Sequence, residues 1–140
     1  MRVSWMFPVS LLALTGCDDT LFGGDVVVEG EGYDAVVDVF DANCVSCHSD
    51  ATASSFGNLS LEGDLCELVG VEAFGGYDDS NGDRVLLIAA GDAEASLIWH
   101  KAEDSGTYGG VMPTTGRMDQ ANIDIIANWI NDDSAGDCAR

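Results

Sequence analysis

The sequence predicts one small, mainly helical domain with about three to five helices. Two segments place apolar residues at helical spacing, one in the first third of the chain and one near its C-terminus. Two shorter segments between them show weaker helical patterns. The 140 residues match the length of one domain, and no internal repeat divides them.

The first predicted helix covers residues 33–43, with its start at residue 33 or 34. Val36 and Phe40 recur at helical spacing ahead of Cys44, while aspartates occupy the other side. Because Phe40 precedes Cys44 by four residues, the two lie on one face. Phe40 is therefore either a contact for a group bound at Cys44 or an ordinary core aromatic.

The clearest predicted helix starts behind Asp119, whose carboxylate suits an N-cap. An apolar stripe then repeats at helical spacing: Ile123, Ile126, Ala127 and Ile130. The polar run at 131–134 predicts the end of this helix. Between the terminal helices we expect a short helix at 65–69, a helix from 93 or 94 to 102, an extended or irregular segment at 84–90, and loops elsewhere.

Residues 44–48 spell C-x-x-C-H, the attachment signature of a c-type haem. Cys44 and Cys47 lie three positions apart on one helical turn, so both thiols can add to vinyl groups of the same porphyrin. His48 follows directly and is placed to ligate the iron as the proximal ligand. One copy of the motif predicts one covalent haem c.

Zinc binding and dithiol chemistry are the alternatives for this motif. A zinc site needs two more ligands at short paired spacing, whereas Cys66, Cys138 and His100 stand apart from one another in the sequence. A thioredoxin-like site follows a strand in a βαβ pattern, and this sequence shows no such pattern. Haem is therefore the favoured interpretation.

The N-terminus has the pattern of a bacterial lipoprotein signal peptide. Arg2 precedes a short apolar stretch, and residues 14–17 form L-T-G-C, which resembles a lipobox. In that family the cysteine, here Cys17, is acylated and becomes the mature N-terminus. The apolar stretch is too short to span a bilayer, and a buried N-terminal helix is the alternative.

This pattern divides the chain into three expected parts. They are a signal peptide at 1–16, an acidic, glycine-rich tether at 17–32, and a folded domain at 33–140. The tether would let the domain stand away from the bilayer that holds the acylated Cys17. The expected location is the cell envelope or periplasm of a Gram-negative bacterium, as a membrane-anchored lipoprotein.

Charge limits the partners of the chain. Five Lys and Arg residues oppose 25 Asp and Glu residues, which gives a formal net charge of −20 at pH 7. Such a field repels nucleic acid and anionic lipid headgroups, and it favours a basic redox protein as partner. Solubility, or adaptation to a saline environment, explains the same composition equally well.

Two smaller features concern binding and stability. Cys66 and Cys138 remain once the other three cysteines have roles, and in an oxidising compartment they are candidates for a disulfide. Asp79, Asn81 and Asp83 alternate like the oxygen ligands of a calcium loop, but the full pattern with its terminal glutamate is absent. We interpret this stretch as a solvated turn, with calcium binding as the alternative.

The second axial ligand determines what a haem at His48 does. Met112 lies in a loop ahead of the final helix, and the following Pro113 stiffens that loop. Its thioether is a soft ligand that raises the reduction potential relative to two histidines. Met118, His100 and an open coordination site are the alternatives. Arg84 is a candidate partner for a haem propionate, or else a surface arginine.

The order of these features resembles class I monohaem cytochromes c, and more narrowly the cytochrome c-like domains of planctomycete and myxobacterial envelope proteins. The matching stretches are residues 44–48, 59–61, 68–71, 90–97, 111–113 and 126–130. The resemblance implies an all-α fold with crossed terminal helices, a covalent haem c, and His48 and Met112 as axial ligands. The loop around Met112 lacks the second proline often found in the family, and Cys66 and Cys138 are additional to the minimal fold.

With these ligands the expected activity is outer-sphere electron transfer, by a carrier rather than an enzyme. Two alternatives stay open. A haem enzyme such as a small peroxidase needs an open or displaceable distal site, and a haem-based gas or redox sensor needs Met112 to yield to its ligand.

Overall fold

The computed structural model describes residues 28–138, and the framework of this part is helical. Three α-helices form it: α1 (Gly32–Asn43), α2 (Leu97–Glu103) and α3 (Gln120–Asn128). The last of these continues into a π-helical segment, Trp129–Asp133, and a final turn, α4 (Ser134–Asp137). Short 3-10 turns lie at Ala53–Ser55 and Leu65–Leu68. The predicted signal peptide, Cys17 and most of the tether lie outside the described residues.

The prediction of a small all-α fold is confirmed. Residues 69–96 are irregular and are joined by isolated bridges, such as Val69 with Ile88 and Glu72 with Leu86, and the part of the chain that the structure describes contains no extended strand. Within residues 28–138 no helix is both long enough and apolar enough to cross a bilayer.

Helix α1 packs against α3 and the π-helical segment, and this contact forms the centre of the core. One face of α1 is buried while its aspartates face solvent, as the helical spacing predicts. The largest fully buried side chains of the two terminal helices are Val36, Val39, Phe40, Ile123, Ile126, Trp129 and Ile130. Burial of these apolar side chains is the main force that joins the two ends of the domain.

Helix α2 begins at Leu97, later than the predicted start at residue 93 or 94. The residues before it form a turn in which side chains bind the backbone. The carboxylate of Asp92 accepts the amide of Ala95 at 3.0 Å, and the hydroxyl of Ser96 accepts the amide of Ala89 at 2.8 Å. These hydrogen bonds replace the helical ones, because short polar side chains compete with the helix for backbone groups.

The final helix extends further than its polar run at 131–134 predicts. The hydroxyl of Ser134 is buried and donates to the carbonyl of Ile130 at 2.7 Å, while the indole of Trp129 donates to the carboxylate of Asp137 at 3.1 Å. The same Ile130 carbonyl accepts the amide of Gly91 at 2.8 Å. Side-chain hydrogen bonds within the helix and one tertiary contact from Gly91 therefore accompany its continuation past the predicted end.

The predicted disulfide between Cys66 and Cys138 is present, with a Cα–Cα distance of 5.2 Å. It connects the 3-10 turn Leu65–Leu68 to the residue that follows α4. The end of the final helix is thus covalently fixed to the loop region between α1 and α2.

Candidate functional site

The C-x-x-C-H motif continues α1 as a tight helical turn. The amide of Cys44 donates to the carbonyl of Phe40 at 2.8 Å. The amides of Cys47 and His48 both donate to the carbonyl of Cys44, at 3.1 and 2.9 Å. Cys44 is half-buried and Cys47 is exposed. The end of α1 therefore sets the positions of both thiols and of the imidazole.

The imidazole of His48 is oriented by a backbone carbonyl. Its Nδ1 lies 3.3 Å from the oxygen of Leu59. The backbone of His48 is fixed as well, since its carbonyl accepts the amide of Leu61 at 2.7 Å. When Nδ1 carries the proton and donates it to the carbonyl of Leu59, the lone pair of Nε2 can bind a metal. Ligating histidines commonly show this arrangement.

Met112 reaches the same pocket from the segment between α2 and α3. Its amide donates to the carbonyl of Lys101 at 2.8 Å, and its side chain is half-buried. The structure thus brings Cys44, Cys47, His48 and Met112 into the lining of one pocket. Phe40 lines it too, from the buried face of α1.

Met118 also lines this pocket, but it belongs to the hydrophobic core, with 3% of its surface exposed. His100 does not line the pocket. Its Nδ1 lies 2.8 Å from the hydroxyl of Ser105, and its Nε2 lies 2.7 Å from the carbonyl of Glu94. Both ring nitrogens of His100 therefore already have hydrogen-bond partners.

Arg84 is not among the residues that line this pocket either. Its guanidinium Nε is 3.6 Å from a carboxylate oxygen of Asp78, and it borders a second, smaller cleft together with Tyr108. The basic residues that line the large pocket, within the described part of the chain, are Lys101 and Arg117. Arg117 forms an ion pair with Glu103 at 2.6 Å.

The pocket fits a covalently attached haem in size and in chemistry. Its volume is about 780 Å³, within the range of roughly 300–1,000 Å³ that is typical of cofactor sites. Its walls are mainly apolar and include Phe40, Leu59, Leu61, Leu97, Ile98 and Ile126. Two thiols, an imidazole and a thioether open into this apolar space, and they are the groups that c-type haem attachment and ligation use.

Several lining residues were not predicted from the sequence. Phe56 and Phe74 stand at the pocket with 43% and 65% of their surfaces exposed, and the Phe56 ring meets the His48 ring edge-on at 5.9 Å. An aromatic residue in an irregular loop carries no periodic signal, so the sequence does not distinguish it from a core residue. The rarity of basic residues in the chain is the one sequence signal that could single out Lys101.

The loop at 79–83 is closed by its own hydrogen bonds. One carboxylate oxygen of Asp79 accepts the amides of Asn81 and Asp83, at 2.8 and 3.0 Å. These bonds, the one from Asp83 most strongly, hold the pKa of Asp79 below its ordinary value of 3.8. Between residues 28 and 138, no three His, Cys, Asp or Glu side chains come together in a group that could hold a metal ion.

Fold and site together define a small helical protein that carries a c-type haem. The family model for cytochrome c matches residues 34–133, well over half of the chain. The protein therefore belongs to the cytochrome c family, whose members bind covalent c-type haem and transfer electrons with it. Cytochrome c domains of bacteria are usually extracytoplasmic. No curated protein and no solved structure matches the chain.

Proposed function

We propose that this protein is a monohaem electron carrier of class I type, anchored to the bacterial cell envelope by an acylated Cys17. In this proposal Cys44 and Cys47 hold one haem covalently, and His48 and Met112 are its axial ligands. The observation that carries the proposal is the convergence of these four residues on one pocket. More narrowly, we place the protein with the planctomycete and myxobacterial cytochrome c-like domains that its motifs resemble.

The haem supplies one-electron oxidation and reduction at its iron. The contribution of the chain is to keep the ligands and the surroundings unchanged while the charge changes. The carbonyl of Leu59 holds the His48 ring, and the carbonyl of Lys101 holds the backbone of Met112. Apolar walls exclude water and lower the local dielectric. Fixed ligands in a dry pocket keep the reorganisation on electron transfer small.

A carrier of this kind needs no proton-transfer group and no open iron site. The hydrogen bonds of His100 with Ser105 and Glu94 support this interpretation, because they direct its ring away from the pocket lining. The geometry therefore favours a carrier over a small peroxidase.

An optical spectrum of the matured protein, oxidised and then reduced, tests the ligand set. The unmutated protein should be low-spin, with a weak ferric sulfur-to-iron band, one haem per chain, and haem retained on a denaturing gel. Met112→Ala should abolish the band. Met118→Leu is the matched control, because it removes the other lining thioether at similar volume, and it should keep the band.

Three results would contradict the proposed haem site. Loss of the band in Met118→Leu with retention in Met112→Ala would make Met118 the ligand. A high-spin spectrum of the unmutated protein would indicate an open site and favour the enzyme or sensor alternatives. Absence of covalent haem would favour zinc binding or dithiol chemistry at Cys44 and Cys47.

The anchor is supported by the lipobox-like sequence alone, since Cys17 lies outside the described residues. Fractionation of cells tests it. The unmutated protein should sediment with membranes and Cys17→Ser should not. Membrane association that survives Cys17→Ser would exclude acylation at this residue as the anchor.

A further inference from the structure

Lys101 ties the segment that carries Met112 to helix α2 at three points. The backbone carbonyl of Lys101 accepts the amide of Met112 at 2.8 Å. Its ammonium Nζ donates to the carbonyl of Tyr108 at 2.6 Å and lies 3.5 Å from that of Gly110. Three hydrogen bonds thus join the segment 108–112 to α2, and all three involve this one residue.

The segment 108–112 folds around the ammonium of Lys101. A Cβ placed on Gly109, whose φ is +88°, would lie 3.6 Å from the Lys101 Nζ. On another side the ammonium stands 5.0 Å from the centre of the Tyr77 ring, which is within range of a cation–π interaction. Backbone carbonyls and an aromatic face therefore surround a half-buried positive charge.

This use of a lysine is unusual in so acidic a chain. Arg84 and Arg117 each pair with a carboxylate, of Asp78 and Glu103. Lys101 instead directs its charge at loop carbonyls, although the chain offers 25 acidic side chains. Hydrogen bonds from a charged donor are roughly twice as strong as neutral ones, so they suit a loop that has few other restraints.

We propose that Lys101 is a positioning residue for Met112, and that its ammonium holds the segment 108–112 so that the thioether stays directed into the pocket. This inference rests on the proposed function, in which Met112 is an axial ligand. If the segment 108–112 opens more often, a competing ligand can occupy the position of the Met112 thioether more often. The affinity for an added ligand rises with the fraction of open protein.

Imidazole is a suitable probe because it is neutral when deprotonated and competes with a thioether for ferric haem. We expect Lys101→Met, which keeps an unbranched side chain without the charge, to raise the imidazole affinity of the ferric holoprotein about tenfold. Lys101→Arg keeps the charge and the donors, so it should restore an affinity near that of the unmutated protein. If Lys101→Met does not mature, Lys101→Gln supplies a second neutral variant.

The same titrations at low and high salt separate a local restraint from a general effect of charge. A hydrogen-bonded loop should give an increase that persists at high salt, whereas a long-range effect of the lost charge is screened. Unfolding of the helices, followed by far-UV circular dichroism, should change much less than imidazole binding. An unchanged imidazole affinity in Lys101→Met, or an increase that disappears at high salt, overturns the proposal.

The two proposals fail in different ways. If Met112→Ala keeps the sulfur-to-iron band, Met112 is not the ligand, and the role of Lys101 falls with it. If Met112→Ala loses the band while Lys101→Met binds imidazole as the unmutated protein does, the ligand set stands and the positioning role alone is wrong.

Discussion

At the scale of single residues, two backbone carbonyls orient the proposed axial ligands. Leu59 accepts from the His48 ring, and Lys101 accepts from the Met112 amide. A carbonyl partner fixes the tautomer of a ligating histidine as well as a carboxylate does. In a protein with a net charge of −20 it does so without adding another negative charge.

Asp79 offers a prediction about pH. Its pKa is lowered by hydrogen bonds from the backbone of Asp83 and Asn81, which favour the charged form. Because the pKa is lower in the folded protein than in the unfolded one, this stabilisation is present above pH 3.8 and disappears as the pH falls through the folded value. Asp79→Asn keeps a hydrogen-bond acceptor but removes the charge, so its stability deficit should shrink on acidification.

Urea unfolding at pH values above and below 3.8 measures this effect, followed by circular dichroism. The difference between Asp79→Asn and the unmutated protein should be small, because the side chain is solvent-accessible, and it should be smaller at the lower pH. Asp38→Asn, which removes one exposed charge from α1, is the matched control. A deficit of equal size at both pH values would show that the ionised form of Asp79 is not the source of the stabilisation.

At the scale of elements, both terminal helices and the end of α1 at Asn43 were predictable, and the far boundary of the final helix was not. The apolar spacing around Val36 and Phe40 predicted α1, and Asp119 caps α3 as expected, accepting the amide of Ala121 at 2.9 Å. The continuation past residue 131 depends on Ser134 and on the disulfide of Cys138. Neither a side-chain hydrogen bond within the helix nor a distant disulfide leaves a mark on local periodicity, so the sequence predicts an end where the structure has none.

The same distinction applies to the site. The spacing of Cys44, Cys47 and His48 is set by bonds along one helical turn, and this is why a sequence motif can encode it. The neighbourhood of Lys101 depends on where the loop after α2 returns to that helix, which the spacing of residues in the sequence does not encode. Arg84 shows the same limit, because the sequence left open whether it is a propionate partner or a surface arginine, and the structure adds that it lies beside Asp78.

The disulfide gives the prediction at this scale. Cys66 and Cys138 are 72 residues apart, and closing so long a loop in the unfolded chain is worth roughly 4 kcal/mol of stability on chain-entropy grounds. The double variant Cys66→Ser, Cys138→Ser should therefore lose up to about that much in denaturant unfolding. Neither residue lines the pocket, so the haem spectrum should be preserved.

Replacing both cysteines together avoids leaving one thiol to react elsewhere. The free energy of unfolding, from urea titrations followed by circular dichroism, is the quantity to compare. An unchanged free energy would mean that the helical contacts hold the C-terminus without the bridge. Loss of the sulfur-to-iron band would mean instead that the disulfide supports the pocket.

At the scale of the whole molecule, the position of the pocket and the charge act together. The exposed Phe56, Phe74 and Cys47 lie at the lining of the pocket, so the pocket reaches the protein surface at these residues. The formal net charge of −20 gives the whole molecule a negative field, although no Asp or Glu is among the described residues that line the pocket. Steering by such a field changes the rate of encounter with a partner more than the strength of the final contact.

Small redox reagents of opposite charge measure this steering without knowledge of the partner. Hexaammineruthenium, a cation, should exchange electrons faster than its driving force alone predicts, and added salt should slow it. Ferricyanide, an anion, should react slowly and accelerate with salt, because screening removes its repulsion. A neutral quinone is the control and should be insensitive to salt. If the rates of both charged reagents are unchanged by salt, the acidic surface does not face the route of electron transfer. The charge then gives no reason to expect a basic partner.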